Sequence, residues 1–442
     1  YTVTITNWSG AYATPAYDVV LTDTLPPGMR QTTPVIFNVT LNGAPVSSSD
    51  YLAGYNSTTG ILTVTFVPTF SIPVNGSLIV QYVARADADV GAGLDLSNQA
   101  QVGWSSRPGM TPGDRDYVSI TRTTTVHTPW PPIVKGVTPV TATLGNLITY
   151  TILLPQQPIT ATVYNAVVTD QLDSHVMLLT VEGGIGVVTV NGNAFTVTYT
   201  SIPAGEQRSI TVTAVLSSPL GAVAGNTITN VATLSHTTGV TQSNRPVFTV
   251  TEPSLALVKA SNPPTSNTVS AGNRITYTVN ITNAASLTAS AAFDVAFTDT
   301  LPIGLRNAPP AIQSITLNGV PVLYGTNYDP ATGILTVTFA SDFAIPVGGV
   351  LAIQYIATVD SDIQAAINLI NLAQVTWSSL GGAVPGDRNY GPISGTTNLH
   401  TPLVTSLGKT LTPPTVTIGS QVVFTISVTG TTIGALLSNV DV

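Results

Sequence analysis

The sequence predicts an all-β chain: tandem immunoglobulin-like antiparallel β-sandwich repeats, with long and short modules alternating. Three observations carry this. Apolar segments such as VTYTSI, ITVTAVL, ILTVTF and LIVQYVA alternate with period two between Gly, Pro or Asn turns, which is the pattern of short half-buried strands in a sandwich. Charged residues make up only 8% of the chain, against about 25% in ordinary soluble domains. Thr, Ser, Val, Gly and Pro fill the space instead, favouring strands and turns over long helices. The third observation is internal repetition.

Residues 1–45 match 277–321 without a gap: YTVTITN against YTVNITN, DVVLTDTLPPGMR against DVAFTDTLPIGLR, TLNGAPV against TLNGVPV. The match resumes through TTGILTVTF and ATGILTVTF, NQAQVGW and NLAQVTW, and PGDRDY and PGDRNY, and it ends at the HTP of 127 and 400. Between the copies lies a shorter relative with YNAVVTDQL and ITNVATL in the corresponding places, and residues 409–442 align with 135–168. The expected division is a long module at 1–133, a short one at 134–257, a long one at 258–407 and the start of another short one at 408–442. Both ends then cut through modules, so the sequence reads as a piece of a longer fibre. The junctions HTPWPPIV, NRPVFTVTEPSLAL and HTPLVTSLG all contain proline, which stiffens a linker and blocks stray strand pairing.

The net charge of −8 with scattered basic residues excludes a nucleic-acid footprint. No uncharged apolar run reaches the roughly 18 residues of a membrane span. Cysteine is absent, so there are no disulfides. Sequons at Asn7, Asn38, Asn56, Asn75 and Asn280 make glycans on Asn, or on the abundant Ser and Thr, candidate partners. No metal-ligand spacing, phosphate loop or Ser/His/Asp order appears, so neither metal nor cofactor is expected, and no enzyme turnover. LPPGM and LPIGL lack the Thr-Gly of a sortase signal.

Three lysines, Lys135, Lys259 and Lys409, open similar stretches: IVKGVTPVTATLGNLITYTI, LVKASNPPTSNTVSAGNRITYTV and LGKTLTPPTVTIGSQVVFTI. In each, an apolar strand is expected to end near the lysine, before a Thr/Pro/Ser segment, a Gly and a β-branched strand. Alternation then assigns faces. Asn98 shares one with Leu96, Ala100 and Val102; Asn371 with Leu369, Ala373 and Val375; Asn230 with Ile228, Ala232 and Leu234. Asp23, Asp299 and Asp170 of the TDTLP-like segments also fall on apolar faces. Burying an unpartnered amide costs roughly 1–3 kcal/mol and an isolated charge far more, so these residues require each other. The bland alternatives are a solvated lysine at a joint, an asparagine partnering a bulge and an aspartate capping its turn.

Lys, Asn and a carboxylic acid in an apolar core can make an amide bond to one another. Burial lowers the lysine pKa and raises that of the aspartate, allowing a neutral amine and a neutral acid. The amine attacks the Asn carbonyl carbon while Asp polarises that carbonyl and carries the proton, and ammonia leaves. Fold geometry supplies the effective concentration. Expected pairs are Lys259 with Asn371 and Lys135 with Asn230, with Asp299 and Asp170 as acids. Counting back along the repeat places the lysine for Asn98, served by Asp23, before residue 1. Lys409 opens a further site. Asp18 and Asp294 face away from the core, and the PGDR loops (Asp114 with Arg115, Asp387 with Arg388) are expected to hold internal Asp–Arg pairs.

The run K…G…YTVxITN…DVxxTDTLPxG…NxA…W, followed by PGDR, resembles the DUF11 conserved-repeat family of prokaryotic surface proteins and is similar to fimbrial isopeptide-forming domains. The resemblance implies an Ig-like repeat in an extracellular stalk or fibre, bonded from first-strand Lys to late-strand Asn. The short module departs from the pattern, with TDQLDS for TDTLPxG and His236 in place of Trp. The leading function is a structural repeat region of an extracellular fibre, stalk or sheath, at most a single-turnover autocatalyst, with neighbouring copies or other surface proteins as partners. The alternative is the stalk of a cell-surface adhesin whose ligand-binding head lies outside this sequence.

Overall fold

The computed structural model describes residues 1–430 apart from 110, 118, 218–220, 383 and 385. Residues 431–442 of the last expected module lie outside the described residues. Among the described residues the regular elements are all strands, and nearly every pairing is antiparallel. None of them forms a helix long and apolar enough to cross a membrane.

Each complete unit packs two sheets face to face. In the second long unit Leu255–Asn262 edges a sheet that continues through Arg274–Asn283, Val350–Thr358 and Ala311–Leu317. The facing sheet runs Gly325–Asp329, Ile334–Thr338, Ala292–Thr300, Asn368–Ser378, Asn389–His400. Period-two alternation sends Ile275, Tyr277, Val279 and Ile281 into one core with Phe297, Val337, Ala373 and Val375. The first long unit repeats the plan, with Thr2–Thr6 at the edge of its first sheet and Ile120–His127 at the edge of its second. The short unit sets Val134–Thr138, Leu147–Leu154, Arg208–Leu216 and Val176–Glu182 against a sheet centred on Val163–Gln171.

Two expectations about the strands need correction. The lysine strands do not end at the lysine: Leu255–Asn262 continues three residues past Lys259 and pairs with Arg274–Asn283 along its whole length. The ITNVATL segment is not one strand, for it breaks at Asn230–Val231 between Thr227–Thr229 and Ala232–His236. Asn230 itself makes the break by accepting a hydrogen bond from the Val231 amide at 2.7 Å.

Asp18, Asp294 and Asn165 occupy the left-handed region, with φ of 46°, 46° and 52°. Asp and Asn tolerate this conformation far better than β-branched residues do. The ladder shifts register around Asp18 and around Asp294, so each marks a β-bulge. The bulged carboxylate Oδ2 then accepts from Ser105 Oγ and the Gly109 amide in one unit. In the other it accepts from Ser378 Oγ and the Gly382 amide. The recurrence of this aspartate is thus a matter of backbone geometry.

The joints are packed contacts. At the first, Ala92 donates to Thr162 O and Thr162 to Val90 O, and Met29, Val90, Ala92 and Leu96 enter the short unit's core. Trp130 lies edge-on to His236 at 5.0 Å. At the second, Glu252 binds Arg388 and the Tyr390 hydroxyl, and Ser379 Oγ donates to Leu144 O. The expected internal Asp–Arg pairs of the PGDR loops are therefore replaced. Asp114 and Asp387 bind loop amides and a serine hydroxyl, which leaves Arg388 free to reach across the joint.

Candidate functional site

Lys259 enters the core of the second long unit from one sheet, and Asp299 and Asn371 enter from the other. Lys259 pairs with Val279 in its ladder, and period two sends both side chains inward. Asp299 stands opposite Ala373 in the facing sheet, two residues from Asn371. Lys259 Nζ donates to Asp299 Oδ2 at 2.6 Å, and both side chains are wholly shielded from solvent. Nζ also lies 5.1 Å from the centroid of the Tyr277 ring, whose face attracts a cation. Asn371 is fully buried; its Nδ2 donates to the Tyr355 hydroxyl at 2.9 Å.

Electrostatics follow from burial. Loss of solvent pulls the Lys259 amine down to about 8, with Asp299 resisting. It pushes the Asp299 carboxyl up, with Lys259, Tyr355 and Asn371 holding it back. The two shifts converge: moving one proton from Nζ to the carboxyl gives a neutral pair without changing the total protonation. The Asn371 Oδ1, the second Asp299 oxygen, the Tyr277 hydroxyl and the Thr397 hydroxyl have no protein hydrogen-bond partner. Buried polar atoms without partners are rare in folded proteins, and here several surround one lysine.

The short unit repeats the arrangement with different supports. Lys135, 1% exposed, binds Asp170 Oδ2, and its Nζ lies 4.3 Å from the Tyr150 ring centroid. Burial lowers Lys135 and raises Asp170. Asn230 is buried with its Nδ2 unpartnered, and no tyrosine takes the role of Tyr355. Instead Asn244 brackets the lysine backbone, accepting from Lys135 N at 2.8 Å and donating to Lys135 O at 2.9 Å.

In the first long unit Asn98 Nδ2 donates to the Tyr82 hydroxyl at 2.7 Å. Asp23 is fully buried, and neither of its carboxyl oxygens has a partner. Burial raises its pKa, partly offset by the nearby Tyr82 and Asn98. At the far end Lys409 Nζ stands 5.0 Å from the Phe424 ring centroid.

The turn-capping alternative for Asp23 and Asp299 finds other occupants. The amides of the turn after TDTLP are held by Asp87, which accepts from Arg30 N and Gln31 N. Asp360 does the same for Arg306 N and Asn307 N. Gly304 in that turn has φ +97°, and a Cβ there would meet Ile363 Cδ1 at 1.9 Å. The turn is thus fixed independently of the buried acid.

Sequence reasoning missed Tyr82, Tyr355, the aromatic ring beside each lysine, Asn244 and Thr397. One signal was available: aligning LITYTI, RITYTV and VVFTI puts an aromatic at the same place in every lysine stretch. Read by period two alone, these rings look like ordinary core.

No family model matches the chain, and no curated protein matches it. Among solved structures it is similar to the C-terminal domain of the Streptococcus pyogenes antigen I/II-family protein AspA, at 12% identity and TM-score 0.36, over 61% of this chain and 99% of that one. It is also similar to the collagen adhesin (CNA) of S. aureus, at 14% identity and TM-score 0.21, over 67% of this chain and 95% of that one. The major pilin subunit BcpA of Bacillus cereus is similar at 12% identity and TM-score 0.26, over 90% of this chain and 95% of that one. Two of these neighbours are thus a collagen adhesin and a major pilin subunit. With TM-scores below 0.5, what the site can do is read from its own residues.

Proposed function

We propose that this chain is a structural repeat region of an extracellular fibre, stalk or sheath, made of long and short sandwich modules that each join their two sheets by a self-made Lys–Asn amide bond. The observation that carries this reading is the wholly buried Lys259–Asp299 pair beside the fully buried Asn371. An ion pair serving stability alone gains little from such burial, because desolvation offsets its attraction.

The reaction balances without a cofactor. Lys259 Nζ, as the free amine, forms a bond to Asn371 Cγ, and the Cγ–Nδ2 bond breaks. Nδ2 leaves as ammonia, taking one proton that originates on Nζ and passes through Asp299, whose carboxyl returns to its starting state. Lys135, Asp170 and Asn230 would act alike. The DUF11-like order of the motifs, the absence of cysteine and the scarcity of charge support an address at the cell surface. The module limits near 133, 257 and 407 belong to the same proposal.

Intact mass of the folded chain tests it: each bond removes one ammonia, about 17 Da. A tryptic map should then join the peptide holding Lys259 to that holding Asn371. A fully folded chain of unmodified mass would refute the reading.

A further inference from the structure

The two complete sites hold their asparagines in opposite ways. In the long unit Asn371 Nδ2 donates to the Tyr355 hydroxyl at 2.9 Å, and its Oδ1 has no protein partner. In the short unit Asn230 Oδ1 accepts from the Val231 amide at 2.7 Å, and it is the buried Nδ2 that has no protein partner. One site holds the nitrogen that has to leave; the other holds the oxygen that has to take up charge.

The backbone differs to match. Asn371 lies inside the unbroken strand Asn368–Ser378, and the residue after it, Leu372, pairs with Thr300 on one side and Thr396 on the other. Val231 belongs to no strand: Thr227–Thr229 ends before it and Ala232–His236 starts after it. The amides on either side are taken up elsewhere, Asn230 N by Pro246 O at 3.4 Å and Ala232 N by Ser243 Oγ at 3.1 Å. Freed from a ladder, the Val231 N–H is a fixed dipole already aimed at the carbonyl oxygen, and such a donor needs no reorganisation when charge develops. Asn230 is 5% exposed, so little water screens the contact. Asp170 stands opposite Ala232, two residues on from Asn230. One of its carboxyl oxygens is taken by Lys135 Nζ and the other has no protein partner.

We propose that the Val231 amide is the oxyanion donor of the short-unit site, a catalytic group that the strand break supplies. This rests on the amide-bond reading of Lys135 and Asn230. As Nζ bonds to Asn230 Cγ, the carbonyl π pair moves onto Oδ1, where the Val231 N–H stabilises it. Return of that pair breaks the Cγ–Nδ2 bond, and Nδ2 leaves as ammonia with the proton that Asp170 carries from Nζ. Asp170 then has only the proton to move. In the long unit Asn371 Oδ1 lacks such a donor, and polarising it falls to the protonated Asp299.

The test uses the full chain, with the joining of Lys135 to Asn230 followed by tryptic maps of samples taken during refolding. Replacing Val231 by its α-hydroxy analogue turns the amide into an ester, which removes the N–H and keeps the side chain. Joining should slow about a hundredfold, the scale of losing one oxyanion donor, while Lys259 and Asn371 join at the parent rate in the same molecules. Val231→Ala, which keeps the N–H, should react like the parent. Hydrogen exchange along Arg208–Leu216 should be equally slow in all three chains, showing that chemistry and not folding has changed. A fall of less than about tenfold in the ester chain overturns the proposal. So does a fall that Val231→Ala shares, or one that follows lost exchange protection. If Lys259 joins Asn371 in the parent while Lys135 and Asn230 stay apart, the Val231 proposal fails and the long-unit reading stands. If neither pair joins, the underlying reading fails.

Discussion

Tyr355 holds Asn371 across the sandwich: the carboxamide Nδ2 donates to the tyrosine hydroxyl at 2.9 Å. Tyr82 and Asn98 repeat the contact in the first long unit at 2.7 Å. This hydrogen bond fixes the rotation of the Asn371 carboxamide, the group that the proposed reaction has the lysine attack. Burial, helped by the charge of nearby Asp299, pushes the pKa of the same hydroxyl well above its ordinary value.

Tyr355→Phe should therefore slow the joining of Lys259 to Asn371 while leaving the core packed. A lost hydrogen bond to a buried group is worth about 1–3 kcal/mol, or roughly tenfold or more in rate. The time course of ammonia loss after refolding measures this. A rate within about twofold of the parent would reduce Tyr355 to a packing residue.

Asp299→Ala should fold and leave Lys259 and Asn371 separate, because no group remains to take the proton from Nζ. The intact mass should stay at the unmodified value for that site, while the Lys135 site is unaffected. Bond formation at the parent rate would assign the acid to another residue.

Lys259→Met removes the link and keeps much of the side-chain volume. Joining residues 259 and 371 closes a loop of about a hundred residues, worth about 4–5 kcal/mol on the chain-entropy account developed for disulfides. The second long unit should melt roughly 10–20 °C lower and extend under less force in single-molecule pulling. Equal melting points and equal forces would show the link to be absent or idle.

In an Asn371→Ala variant Lys259 keeps a free amine, and its titration becomes visible in stability. Its folded pKa lies near 8 against the ordinary 10.5. Between these values the unfolded chain binds the extra proton, so stability rises with pH across that range. Asp299 acts in the opposite direction, since its folded pKa is raised. Its contribution is present at low pH and is lost as pH climbs from the ordinary 3.8 through the folded value. Calorimetry should find the variant least stable between these two ranges, gaining up to a few kcal/mol toward pH of about 10. The parent, with the amine consumed, should lack the alkaline gain; parallel slopes for the two would contradict this.

Much of this was legible in the sequence because alternation needs only a period and a few fixed apolar residues. The faces of Asn98, Asn371, Asp23, Asp299 and Lys259 all follow from their neighbours two positions away. The bulge at Asp18 and Asp294 was hidden because a single left-handed residue flips the phase without altering composition. Asp87 and Asp360 escaped because the turns they cap lie more than fifty residues away in the chain. Arg388 was assigned to its neighbouring aspartate because sequence gives no view of Glu252 on the far side of a joint. Asn230 kept its face, yet its strand broke where its own side chain captured the next amide.

The placement of Lys259 near the start of its unit and Asn371 near its end has a consequence for proteolysis. Ile303, Leu323 and Leu287 sit in loops between them and are 78%, 90% and 97% exposed, the kind of site where proteases nick a chain. With the two residues joined, every loop between them belongs to a closed covalent ring. One cut there adds a water and opens the ring, but the pieces stay attached. A second cut is needed to release anything, and a singly nicked strand stays beside its partners, held in register by the same core that formed the bond.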